Sequence, residues 1–250
     1  FLSSAPRLTT ASNEPARWPA NSGAPLAQAI PGSHRGVRMD LQIDLRYEID
    51  SYGADFVFNI HAAQTPHQIV HNERLVLSQD IPHQIHTDPA TGNRYLRLHG
   101  EPGMLELTYS ATVDIRHHRA DPTQLAEVPV RHLPPHVMGY IYPSRYCQSD
   151  RLLRLALNEF GALWQGHSRV QAIRDWVNRH VAFTSNTSNS NTSAVDTLVE
   201  QVGVCRDFAH LMIALCRAVN IPARFTTGTD YGADPALGPP DFHAYVEVYL

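Results

Sequence analysis

The stretch "GVCRDFAHLMIALCRAVNIPAR", Gly203 to Arg224, holds two of the three cysteines in this 250-residue chain. Phe208, Leu211, Met212, Leu215 and Val219 recur at the spacing of one buried helical face. The predicted helix opens at Cys205 and stops at Asn220-Ile221-Pro222, where proline cannot continue it. Cys205 thus falls in a first turn, where backbone N–H groups lack partners and the helix dipole is positive. Those surroundings favour the thiolate, the nucleophilic form of cysteine. Cys216 lies roughly 16 Å further along the axis at 1.5 Å per residue, too far for a disulfide, and reads as a small apolar filler. The same bland reading is open for Cys205, since its place on the helix does not decide between the two.

Downstream, Ile221 to Gly228 predicts a strand, and Asp230 to Asp241, rich in proline and glycine, predicts a loop. Loops of that length in compact domains are often functional. Phe242, Ala244, Val246, Val248 and Leu250 then alternate with His243, Tyr245, Glu247 and Tyr249, the period of a half-buried strand. His243 heads this strand on its polar face. A thiol nucleophile needs a base or imidazolium within hydrogen-bond reach, and His243 is a candidate, although spacing alone makes it a weak one.

Upstream, Leu152, Leu155, Ala156, Phe160 and Leu163 predict a helix ended by Gly166. Val170, Ile173, Trp176 and Val177 begin another. "TSNTSNSNTS", Thr184 to Ser193, predicts a polar loop, and Asp196 to about Gly203 a short helix. Residues 119–150 hold Pro122, Pro129, Pro134, Pro135 and Pro143 and read as a connection without regular structure. Before it the signal is β. Leu41 to Ile49 and Leu105 to Ile115 alternate cleanly, with shorter candidates at Phe56 to Ile60, Glu73 to Ser78 and Tyr95 to Leu98. Strands without helices predict a small antiparallel sandwich over residues 39–118. Residues 1–38 show no hydrophobic period and read as disordered or weakly docked.

Apolar residues make up 43% of the chain and charged residues 18%, as in a globular protein. A formal net charge of -4 argues against nucleic acid as a partner, and no apolar run has the length of a membrane span. Three cysteines do not build a disulfide framework, which points to a reducing, cytoplasmic setting. The 15 histidines form no H-E-x-x-H or paired C-x-x-C spacing, so neither a metal nor a cofactor is expected.

"GVCRDFAHL", "ALCRAVNIPAR" and "DFHAYVEVYL" together resemble the transglutaminase-like superfamily, in particular its bacterial cysteine-protease branch. The resemblance covers about Thr192 to Leu250. The β region resembles the β-rich segment that often precedes this domain in bacteria. It implies an α+β chain: a papain-like core over 151–250, with the cysteine helix packed on an antiparallel sheet, after a β-sandwich. It further implies Cys205 as nucleophile and His243 as its partner, with the backbone N–H of Cys205 as an oxyanion donor. Tyr231 and Tyr245 are cleft candidates. The family's acid lies on the strand after the histidine strand, here expected beyond Leu250, as though the domain were cut short. Glu247 shares the face of His243 but stands roughly 13 Å along the strand, and Asp207 reads as structural. The implied function is thiol-dependent hydrolysis of peptide or isopeptide bonds through a thioester. Amine transfer to glutamine and a non-catalytic binding module are the alternatives. The pattern lacks the R-G-G-x-C-x-E of arylamine acetyltransferases.

Overall fold

The computed structural model describes residues 7–9, 36–89, 91–229 and 242–250. They fall into two compact units. One runs to His118 and includes Thr229 and Phe242; the other holds Arg119–Gly228 and His243–Leu250.

The first unit is built on two long strands, β2 (Val37–Ile49) and β7 (Gly103–Ile115), antiparallel along their whole length from Val37↔Ile115 to Ile49↔Gly103. The alternation of β7 holds: Leu105, Leu107, Tyr109, Ala111 and Val113 are buried and the residues between them are not. β1 (Arg7–Thr9) borders β2, and β4 (Gln68–Leu77) borders β7 on its other side. Within the segment expected to be disordered or weakly docked, three residues form an edge strand. A second sheet has the order β3 (Ala54–Phe58), β6 (Arg94–Gly100), β5 (His83–Thr87). Ile43, Leu105 and Leu107 from the first sheet share a core with Phe58, Leu96 and Leu98 from the second, which makes the unit a sandwich. Between His71 and Arg74 a bulge interrupts β4, with Asn72 at φ 52°. Glu73, inside the bulge, accepts hydrogen bonds from Arg94 (2.6 Å) and the Tyr109 hydroxyl (2.7 Å), tying one sheet to the other. β5 had no signal in the sequence because all five of its residues are exposed.

The second unit begins with three 3-10 turns, Pro122–Gln124, Val130–His132 and Pro135–Ile141, where the prolines had predicted irregular chain. Helices α1 (Ser149–Phe160) and α2 (His167–His180) follow. β8 (Ala182–Phe183), α3 (Ala194–Glu200), β9 (Val202–Gly203) and α4 (Cys205–Ala218) come next, then β10 (Ala223–Thr229) and β11 (Phe242–Val248). α1 stops at Phe160, short of Leu163, which is exposed. Trp164, inside the span predicted helical up to Gly166, lies beyond α1 and is 83% exposed; Trp176 is in the core.

α4 is the axis of this unit. The predicted single stripe is instead burial on nearly every side, with Leu211, Ile213, Ala214, Leu215 and Cys216 fully enclosed. α1, α2 and α3 all pack against α4, and from Asp207 to Ala218 only Phe208 and Met212 are less than fully buried. Arg217, buried at its end, donates to the carbonyls of Ala223 and Tyr142 and to the Ser144 hydroxyl. Burying each large apolar side chain contributes about 1.5–3 kcal/mol. No helix among the described residues is long and apolar enough to cross a membrane.

Candidate active site

Cys205 is the first residue of α4, and local chemistry sets that start. Val204 is extended at φ -106°, ψ 177° and forms the N-cap. Three residues on, the Asp207 carboxylate reaches back and accepts the Val204 N–H at 2.8 Å, half of a capping box. Asp207 is fully buried and pairs with Arg206 at 3.1 Å. Its role is structural, as its place in the first turn suggested. Gly203 is required by the same packing, since a Cβ there would sit 2.7 Å from the Cβ of Asp207.

The cap leaves two donors over. Asp207 N–H and Phe208 N–H both bond the Val204 carbonyl. The N–H groups of Cys205 and Arg206 have no acceptor among the described residues. A helix N-terminus with free N–H groups is suited to a developing negative charge. The family resemblance implies only the first of these two donors.

The three cysteines separate clearly. Cys147 and Cys216 are buried, and Cys205 is half-buried. Burial pushes the Cys216 thiol up to about 12 and raises that of Cys147. Both are held as neutral, inert thiols.

His243 is the second residue of β11. Tyr249 N–H donates to the Pro222 carbonyl (2.9 Å), and Arg224 Nε to Glu247 (2.6 Å). Partner numbers fall along β11 as they rise along β10, so the two strands are antiparallel. Val246, Val248 and Leu250 pack on the core that holds α4. His243, Tyr245 and Glu247 lie on the other face. Glu247 is buried and engaged by Arg224, which assigns this acid to a structural ion pair. The Tyr245 ring lies edge-on to His243 with centroids 6.5 Å apart, and a Cβ at Gly228 would meet it at 2.9 Å. Tyr231 and the loop that carries it lie outside the described residues.

Around the first turn of α4 the polar loop is tied down. Arg206 Nη2 donates to the Asn189 carbonyl (2.6 Å), and Tyr146 Oη to the Ser190 carbonyl (2.7 Å). His210, one turn further along α4, is buried. It is stacked on Tyr146 with rings 5.1 Å apart and 3° from parallel, and it meets Phe225 at 5.3 Å. Burial, reinforced by the charge of Arg206, lowers its pKa to about 4. Nothing local in the sequence announced this stack, because its three rings come from positions far apart in the chain.

Residues 160–250 match the transglutaminase-like superfamily, and residues 37–136 match the bacterial transglutaminase N-terminal domain. A solved structure described as a "Putative Cysteine Protease" from Cytophaga hutchinsonii is 40% identical. The match covers 86% of this chain and 74% of that one, with a TM-score of 0.80. The chain belongs to the transglutaminase-like superfamily. Its fold is the α+β arrangement expected, a β-rich region followed by the transglutaminase-like core. The periplasmic domain of TgpA from Pseudomonas aeruginosa is 18% identical over 86% of this chain and 69% of that one, at a TM-score of 0.42. An uncharacterized protein of Mycobacterium leprae, ML0607, is 34% identical over 59 residues, 24% of this chain and about a fifth (21%) of that protein's length. Membership of this superfamily supports a thiol-dependent activity in general terms.

Proposed function

We propose that this protein is a thiol hydrolase that cleaves peptide or isopeptide amide bonds, with Cys205 as nucleophile and His243 as its acid–base partner. The observation that carries this reading is the position of Cys205. It is the half-exposed cysteine of the three, at a helix start whose N–H groups are left over.

The Cys205 thiolate attacks the amide carbonyl carbon, and the carbonyl oxygen takes up the negative charge. The N–H groups of Cys205 and Arg206 receive that charge. The C–N bond breaks as the His243 imidazolium gives its proton to the leaving amine, and a thioester remains on Sγ. Water then attacks the thioester carbonyl and loses a proton to His243. The C–S bond breaks, leaving the carboxylic acid and the thiolate. Asp207 and Glu247 take no part in the proton transfers, being held by Arg206 and Arg224. Loss of an orienting acid is costly in a related triad, so the group that orients His243 is sought outside these two.

The test is turnover of a peptide mixture, with products identified by mass spectrometry. The expected products are a free acid and a free amine. Added primary amine is expected to leave the acid as the main product; if it instead gives an amide, the reaction is transfer. Cleavage that persists in Cys205→Ala sinks the thiol mechanism.

A further inference from the structure

We propose that Phe183 contacts the substrate, and that the site takes an extended peptide with an apolar side chain flanking the scissile amide. This rests on the reading of Cys205 as nucleophile. β8 and β9 pair in parallel, with Phe183 opposite Gly203. Residues in register on neighbouring strands project to the same face. Gly203 identifies that face, because its Cβ direction runs into Asp207 in the first turn of α4. The Phe183 side chain is therefore on the side of that turn, across from a residue two positions before Cys205. The turn covers Gly203 and leaves Phe183 67% exposed.

A single exposed apolar side chain needs no explanation by itself. The backbone of Phe183 supplies the second observation. The N–H groups of Ala182 and Thr184 donate to Gln201 and Gly203, across to β9. In a parallel pair the intervening residue turns its N–H and C=O the other way. Nothing among the described residues bonds either group of Phe183. Such an edge is a template for an added strand. The edge is also held in place. Thr187 Oγ1 donates to the Thr184 carbonyl at 2.7 Å, and Arg206 and Tyr146 pin the loop at Asn189 and Ser190. Backbone pairing along the edge and apolar contact with the ring would act on one extended segment, whose side chains on the Phe183 face lie on the side of the first turn of α4.

Matched peptides carrying leucine or serine beside the cleaved bond test this, with wild type, Phe183→Ser and Phe183→Tyr. In wild type, kcat/KM is expected to favour the leucine peptide by about tenfold, the scale of one lost apolar contact. Phe183→Ser should bring that ratio near one, mainly through KM, and Phe183→Tyr should restore most of it. Alkylation of Cys205 by iodoacetamide at an unchanged rate shows that the first turn is intact in both variants. Turnover that depends on Cys205 but keeps its leucine preference in Phe183→Ser overturns this proposal and leaves the thiol mechanism standing. Turnover that survives Cys205→Ala removes the mechanism itself.

Discussion

Cys205 and Cys216 sit on the same helix, eleven residues apart. Cys216, in the last turns of α4, is fully enclosed, and burial pushes its thiol up to about 12. Around Cys205, in the first turn, the thiol is half-buried, two backbone N–H groups are unspent, and Asp207 and Arg206 neutralise each other beside it. A helix offers the same backbone to both residues except at its ends. The difference therefore comes from the N-terminus, where donors are left over, and from burial, which encloses Cys216 and leaves Cys205 half-exposed.

The sharpest way to break this contrast is by activity. Cys205→Ala should lower turnover by at least about 10³-fold, the scale of losing a nucleophile. Cys216→Ala should leave kcat near wild type; comparable losses in both would make the contrast meaningless. Native-state alkylation followed by mass spectrometry sharpens the same point. Cys205 should be modified at least about 100-fold faster than Cys147 or Cys216, which must wait for the core to open.

The first turn can be tested by stability. Asp207→Ala removes the acceptor of Val204 N–H and strips Arg206 of its carboxylate. Chemical denaturation should show a loss of about 2–4 kcal/mol. A loss under about 0.5 kcal/mol would mean that the cap does not set the helix start. His210 gives a comparable effect that depends on pH. Its folded pKa is near 4, below the ordinary 6.5, so the unfolded chain binds the proton more readily. This contribution is fully present above pH 6.5 and is lost as pH falls toward 4, by on the order of 2–3 kcal/mol. His210→Phe should flatten that part of the stability–pH curve; an unchanged slope would assign the acid lability elsewhere. The smallest expected effect is the cost of Cys216→Ala, about 1 kcal/mol for a small void in a packed core, read as a lowered Tm.

How far the sequence carried the fold can be seen strand by strand. β2 and β7 were legible because one face of each is buried and the other is not. β5 was invisible because its pairing with β6 is made by the backbone alone, with every side chain exposed. The stripe on α4 understated its burial: Phe208 and Met212 follow the helical period, yet His210, Ile213 and Arg217 on the remaining faces are buried too. Trp164 went the other way, since an aromatic in a helical pattern reads as core until the helix is found to end four residues earlier. In the site, the helix start at Cys205 was legible from near neighbours. The second free donor at Arg206, the clamp on Asn189 and the exposed ring of Phe183 were not. The free donor at Arg206 belongs to the same helix start, but the other two depend on segments that meet only in the folded chain, the polar loop with α4 and β8 with β9.

Local order along the chain was enough to mark a sandwich of alternating strands, a helix opening on a cysteine, and a histidine at the head of a later strand. Those features are written in spacings of two, three and four residues, where the backbone repeats and no distant partner is needed. Folding added the unequal fates of three similar thiols, the engagement of Asp207 and Glu247 by arginines, and the neutral imidazole of His210. Burial and charge pairing depend on which surfaces close over a group, and those surfaces come from parts of the chain that spacing cannot connect.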